Sequence, residues 1–424
     1  MIGYRNTRRA FLINGAAAAS TALLSLPAVA QASPRVFVIG GGFAGATCAR
    51  ALKRLAPRVH VTLVAASDVF TACPFSNDVI AGLRNIKAQQ FGYDKVRREV
   101  TFIQQMVTKI DPRKRTVDLA DGSSHGYDRI VLAPGIDFRW DGLPGYDEAA
   151  SAKLPHAWKA GEQTMLLRRQ IEAMPDGGLV VIAAPANPYR CPPGPYERAS
   201  LIAYYLKTKK PKSKLIILDA KDAFSKQKLF QNAWKELYSG IVEWVPLSSG
   251  GKVASVDPKT KTLVTDFGKH RAAVANVIPP QKAGVIAEAA GVTDRSGWCP
   301  IDPVTFESKL QSGIHVIGDA TIAGAMPKSA FTANAQAKVC AAAVAKLLAG
   351  ETPSQPKLIN ACYSLAAPDY GFEVSGVYHP VNGVLTEIAG SGGTTAVDAT
   401  PEVRKLEAAY AENWFRTITA EVFG

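Results

Sequence analysis

The chain of 424 residues holds six cysteines, six histidines and five methionines, and their placement excludes more than it offers. Cys48, Cys73, Cys191, Cys299, Cys340 and Cys362 form no CxxC or CxxCH arrangement, and the histidines do not cluster. A structural zinc site and a haem attached to this chain are therefore not expected, and no metal ligands are assigned. No stretch reaches the roughly 18 apolar residues of a membrane span. Acidic residues are scarce at the start, none preceding Asp68, and the net charge is +13. Such a surplus steers anionic partners. The Lys and Arg residues are scattered and accompany no recognition motif, which argues against nucleic acid and for a solvated basic surface or an acidic protein partner.

Residues 1–32 read as an address. Thr7-Arg8-Arg9-Ala10-Phe11-Leu12 is a twin-arginine signature, an Ala-rich apolar stretch runs from Ile13 to Leu26, and Ala28-Val29-Ala30 and Ala30-Gln31-Ala32 offer cleavage sites. The expectation is export to the periplasm, where disulfides are permitted. With 47% hydrophobic and 20% charged residues, the 424-residue chain suits a globular protein of two or three domains.

Arg35 to Ile39 reads as a β-strand running into Gly40-Gly41-Gly42-Phe43-Ala44-Gly45, then a helix from about Ala46 to Leu55 and a second strand from Val59 to Val64. In such a βαβ unit Gly40 permits the tight turn, Gly42 lets backbone approach a pyrophosphate, and Gly45 lets helix and strand pack closely. An acid should follow the second strand to bind ribose; Ala65 stands there, with Asp68 a possible substitute three residues on. A later strand ends at Ala133-Pro134-Gly135, and another, Gly313 to Ile317, ends at Gly318-Asp319. A helix beginning near Ser329 then directs its N-terminal dipole at the same place. Gly178 to Ala184 opens a second α/β segment, with a helix from about Pro195. Its turn, Pro185 to Pro195, carries prolines, which donate no N–H, in place of a glycine fingerprint, so a pyridine-nucleotide site is not expected.

The Thr71-Ala72-Cys73-Pro74-Phe75-Ser76-Asn77-Asp78 segment, the runs Ala157 to Thr164, Arg190 to Ser200 and Gly318 to Ser329, Asn360-Ala361-Cys362-Tyr363-Ser364, and the closing Phe423-Gly424 resemble the flavoprotein subunit of flavocytochrome c sulfide dehydrogenase. The Sox-system sulfide dehydrogenase flavoprotein is a close relative. The resemblance implies an α/β fold of two dinucleotide-binding, Rossmann-like domains of the glutathione reductase-like FAD superfamily, followed by a C-terminal α+β region. The implied boundaries are 33–155 and 273–350 for the FAD-binding domain, 156–272 for a second domain with a degenerate NAD site, and 351–424 for an interface region.

The resemblance also implies roles. Cys73 matches the cysteine that holds FAD covalently, Asp319 the residue that binds the ribityl chain, and Gly135 and Gly318 further cofactor contacts. Cys191 and Cys362 match a redox disulfide that sulfide attacks, yielding a persulfide and a thiolate. Glu197 is a candidate proton acceptor and Lys328 a candidate counter-charge for the reduced ring. Cys48 and Cys340 are expected to pack as buried apolar residues. Electrons are expected to pass to a c-type cytochrome on a separate subunit carrying the haem. A sulfide:quinone reductase, or an accessory flavoprotein that maintains a Sox sulfur carrier, are the rival readings.

Overall fold

A computed structural model describes residues 33–424, so the expected leader over 1–32 lies outside the described residues. The consecutive apolar residues Val36 to Ile39 have the pattern of a parallel strand buried on both faces, and form β1 (Arg35–Ile39). Helix α1 (Phe43–Leu55) follows with Gly42 at its N-cap, and ends on Lys53 and Arg54, whose charge suits a helix C-terminus. It starts earlier than the sequence pattern suggested, because the glycines around Phe43 leave room for a turn of helix hard against the strand. β2 (His60–Ala65), the short helix α2 (Ser76–Ile80), β3 (Thr101–Gln104) and β4 (Arg129–Leu132) complete the first part.

The middle of the chain supplies β5 (Leu179–Ala184), α3 (Gly194–Lys209), β6 (Lys214–Asp219), α4 (Gln227–Leu237), β7 (Val242–Val245) and β8 (Val274–Val277). Then come β9 (Ile314–Val316) and α5 (Ala330–Leu348), whose N-cap Ser329 accepts a hydrogen bond from the Thr332 amide. The last part is β10 (Leu358–Ala367), β11 (Tyr370–Val381), β12 (Val384–Glu387) and α6 (Pro401–Val422).

Three main sheets result. The first, in the order β9-β4-β1-β2-β3, is parallel throughout, and β9 returns from far along the chain to pair with β4. The second, β7-β6-β5-β8, is also parallel. The third, β10-β11-β12, is antiparallel. Val38, Leu63, Ile130 and Leu132 are wholly buried in the first sheet, each burial contributing about 1.5–3 kcal/mol. Cys48 of α1 and Cys340 of α5 are likewise fully buried between sheet and helices.

The C-terminal region packs through its aromatic residues. Phe372 meets Phe230 of α4 edge-on at 4.7 Å, and the Tyr238 hydroxyl donates to the Ala366 carbonyl at 2.6 Å. From α6, Phe415 lies 5.2 Å from Phe75, and Phe423 stacks on Phe70 and Phe91 at 5.2 and 5.5 Å. Arg50 of α1 ties this end down, bonding Glu99 at 2.9 Å and the Val422 carbonyl at 3.1 Å.

Candidate active site

A cavity of about 550 Å³ runs from the end of β1 to the third sheet. Gly40, Gly42, Cys73, Gly135, Cys191, Glu197, Gly318, Asp319 and Cys362, drawn from all three parts of the chain, line it. Gly45 and Lys328 stand behind the wall.

At one end, Gly40 takes a φ of +108°, open to glycine without strain. A side chain at Gly45 would run into the Gly40 carbonyl, so this glycine sets how closely α1 approaches β1. No side chain caps α1, leaving its first amides free to meet an anion. Ala65 puts an apolar wall where an acid was expected, and Asp68 is exposed and outside the lining, between Ser67 and Val69, which belong to it. Tyr93 was not anticipated. Its hydroxyl donates to the Gly41 carbonyl at 2.9 Å and its ring lines the cavity.

Midway, Asp319 presents a buried Oδ1 with no protein partner, while Oδ2 lies 3.8 Å from the Arg190 guanidinium. Burial pushes this carboxyl upward, and Arg190 and Lys328 oppose the shift. An orphaned buried acceptor, uncapped helix amides and a volume inside the usual range of roughly 300–1,000 Å³ for small-molecule sites fit a bound dinucleotide such as FAD. Lys328 does not reach the lining. Its ammonium donates to the carbonyls of Asp319 and Thr321 at 2.8 and 2.6 Å and sits 4.0 Å from the centre of the Trp298 ring. It therefore braces the Gly318–Thr321 turn rather than facing into the cavity.

Cys73 is half-buried, its sulfur 3.8 Å from the Trp158 carbonyl. Opposite, the Cys191 amide donates to the Lys328 carbonyl at 2.8 Å, and Cys362 enters from β10. All six cysteines are unbonded in this structure, so the expected Cys191–Cys362 bridge is not formed here, although both residues face the same cavity. Burial pushes both thiols upward; Cys362 adds to the rise at Cys191, whereas at Cys362 the Lys226 ammonium opposes it. Phe75, Ala157 and Cys191 line the cavity with φ of +63°, +47° and +57°. Side-chain-bearing residues keep that conformation only where their surroundings hold them, a condition common at functional sites.

Glu197, on the first turn of α3, is pinned from two sides. Its Oε1 accepts from the Leu365 amide at 2.9 Å and its Oε2 from the Asn77 amide group at 2.8 Å. Arg198 in turn donates to Asn77 Oδ1 at 3.0 Å and to the His156 and Ala157 carbonyls at 2.9 and 2.6 Å. Burial raises Glu197 above the ordinary carboxylate range. Neighbouring Asp78 is pushed up to about 8, by burial first and by Glu197 second, with Arg84 opposing. Asn77 and Asp78 stood inside the Cys73 motif without a role. Arg190 and Arg198 stood in the Cys191 motif, and their charge was the only signal they gave.

The turn after β5 is filled by protein. Arg190 N–H donates to Gln281 Oε1 at 2.9 Å, the Tyr189 hydroxyl to the Pro192 carbonyl at 2.7 Å, and the Lys221 ammonium to the Pro185 carbonyl at 2.7 Å. Among the described residues no group of His, Cys, Asp and Glu is placed to hold a metal ion, and no helix is long and apolar enough to cross a membrane.

Three family descriptions match this chain: "Pyridine nucleotide-disulphide oxidoreductase" over residues 34–169, "Sulfide dehydrogenase [flavocytochrome c] flavoprotein chain, central" over 164–279, and "Flavocytochrome c sulphide dehydrogenase, flavin-binding" over 354–423. The flavoprotein chain of sulfide dehydrogenase (flavocytochrome c) from Chlorobaculum thiosulfatiphilum is 53% identical over 45 residues, which are 11% of this chain and 94% of that sequence. Mitochondrial sulfide:quinone oxidoreductase from Mus musculus is 24% identical over 302 residues, 68% of this chain and 65% of the mouse protein's length. Among solved structures, the sulfide:quinone oxidoreductase of Aquifex aeolicus superposes with a TM-score of 0.71 over 92% of both chains at 17% identity, a likeness of fold. The two parallel sheets share the fold of that structure, and the first of them lies largely within the stretch that matches the pyridine nucleotide-disulphide oxidoreductase family.

Proposed function

Because the chain belongs to the flavoprotein family of flavocytochrome c sulfide dehydrogenase, we propose that it oxidises sulfide with FAD held in the 550 Å³ cavity and passes the electrons to a c-type cytochrome on a partner subunit. One observation carries the reading: Cys191, Cys362 and Glu197 converge from different parts of the chain on the cavity that Cys73 and Asp319 also line. When bound, FAD supplies a two-electron acceptor. Asp319 would offer its unpartnered oxygen to a hydroxyl of the cofactor, and Cys73 would hold it covalently, which would offset the missing ribose ligand at Ala65.

In the oxidised enzyme Cys191 and Cys362 form a disulfide. Hydrosulfide attacks one sulfur of that bond, the S–S bond breaks, and a persulfide and a thiolate remain, with no other oxidant needed in the step. Glu197 takes the proton from hydrogen sulfide. Its raised pKa brings it nearer to working pH, where a general base is most effective, and two fixed donors keep it aimed. The twin-arginine leader would deliver the folded, loaded protein to the periplasm. A quinone is the second candidate acceptor, favoured by the mouse and Aquifex relatives and by Val403, Leu406 and Tyr410, exposed at i, i+3 and i+7 on α6.

Acid precipitation tests the cofactor. The yellow chromophore stays with the polypeptide in the parent protein and is released from Cys73→Ser; flavin washed out of the parent contradicts the covalent link. Sulfide-dependent reduction of soluble cytochrome c, compared with that of a short-chain quinone, decides the acceptor.

A further inference from the structure

Lys226 has no assigned role in the site outlined above, yet it is the cation nearest to one of its sulfurs. Its ammonium donates to the Cys362 carbonyl at 2.6 Å and lies 3.8 Å from Cys362 Sγ. The Phe372 ring, fully buried, lies on another side of it at 5.7 Å, so water does not surround this charge evenly. Lys226 occupies the N-cap of α4 with a φ of +63°. Asparagine or glycine suits that backbone better than lysine does. The strain is tolerated where the side chain has a task that its surroundings enforce.

At Cys191, Arg190 and Lys226 oppose the rise of the thiol only through space, and no cation is in hydrogen-bond contact with its sulfur as Lys226 is with that of Cys362. Arg190, the adjacent cation, is engaged with the Trp158 carbonyl and with Asp319 at 3.8 Å. Glu197 of α3 is a common negative neighbour of both cysteines, and Glu373 of β11 adds a second one at Cys362. Tyr378, also on β11, faces Cys362 as a neutral phenol. Among the described residues, Lys226 is thus the cation in hydrogen-bond contact with one sulfur of the pair and not with the other.

Resting on the sulfide reading above, we propose that Lys226 is a further catalytic residue that makes Cys362 the thiolate of the pair and thereby directs sulfide onto Cys191. In thiol–disulfide exchange the sulfur with the lower thiol pKa leaves faster. An ammonium beside Cys362 stabilises it as the departing thiolate. Hydrosulfide then bonds to the Cys191 sulfur, the Cys191–Cys362 bond breaks, and its electron pair stays on Cys362 beside Lys226. Burial raises both thiols, and at Cys362 the Lys226 contact opposes that rise.

The test needs no sulfide. The FAD-loaded protein is reduced with a phosphine, pulsed with iodoacetamide across a pH series, and the labelled peptides are counted by mass spectrometry. Cys362 is expected to label before Cys191, at a lower pH midpoint. Lys226→Gln should raise the Cys362 midpoint by about 1–3 units, the shift an opposite charge within ~4–6 Å produces, and Lys226→Arg should restore it, with Cys191 moving less because Lys226 acts on it only from a distance. Lys226→Gly relieves the backbone strain while removing the charge, so it reads the same shift in a protein that is easier to fold. Cys191 labelling first in the parent, or a Cys362 midpoint that stays put in Lys226→Gln and Lys226→Gly, overturns the proposal. A parent flavin left oxidised by sulfide strikes the proposed function instead, and the labelling order still decides what Lys226 does.

Discussion

The chain builds the same β-turn-α-β unit twice, once from β1 to β2 and once from β5 to β6, and treats the two in opposite ways. After β1 the turn is glycine, α1 is uncapped, and the polar groups open into a cavity. After β5 the turn is proline-rich and its polar groups bond one another and their neighbours. The second strands are also exchanged. β2 ends at Ala65, with no acid, whereas β6 ends at Asp219, an acid at the position where a ribose ligand belongs. That acid is consumed internally: Tyr196, Trp244 and Lys221 donate to it at 2.5, 3.0 and 2.5 Å, and it is wholly buried. The two units thus share a fold and differ in how many polar groups they leave unpartnered. What matters is whether the turn leaves donors free.

The largest effect that would break this comparison lies in the first unit. Gly45→Val forces a branched side chain into the Gly40 carbonyl. Overpacking of this kind costs about 1–3 kcal/mol and occasionally more, and here it also pushes α1 away from the cavity. The expected product is a colourless, less stable protein; normal flavin content would show that the close approach is dispensable.

A smaller effect is expected in the second unit. Asp219→Asn leaves Lys221 as a buried cation without its counter-charge, and burial already lowers that lysine's pKa. Leaving a buried polar group unsatisfied costs about 1–3 kcal/mol. Urea unfolding should register the loss while the flavin content stays unchanged. A loss of flavin in this variant would mean that the second unit contributes to holding the cofactor.

The third effect is a pH slope, small per unit of pH. Asp78 has a pKa of about 8 in the folded protein against an ordinary 3.8, burial being the main cause. Between those values the native state holds its proton more tightly than the unfolded chain does. The stability it contributes is complete below about 3.8 and is lost as pH climbs through 8. The slope is at most about 1.4 kcal/mol per pH unit, and Asp78→Asn should remove it from the unfolding free energy measured across that range. Parent and variant curves running parallel would place an ionised carboxylate there.

The same contrast explains how much of the molecule was legible in the sequence. Gly40, Gly42, Gly45 and the Gly318-Asp319 turn announced themselves because backbone chemistry permits few alternatives there. Cys73, Cys191, Glu197 and Cys362 became legible only through the family resemblance, since nothing in their spacing brings them together. Their meeting depends on how three sheets pack. Tyr93 and Lys226 gave no signal, because their contacts, with the Gly41 carbonyl and with Cys362, form only after folding. Lys328 precedes α5 as the sequence suggested, and the carbonyls of Asp319 and Thr321, which no sequence pattern marks, hold its ammonium.

The central claim is that the first unit and the cysteine pair work as one redox site while the second unit binds no nucleotide. Rapid mixing of the oxidised protein with sulfide, and separately with NADH, tests it most directly by following the flavin absorbance. Sulfide should bleach the parent flavin and NADH should not. Cys191→Ser and Cys362→Ser should stay yellow with sulfide and bleach with dithionite. Fast bleaching by NADH, or undiminished bleaching by sulfide in both serine variants, would contradict the account.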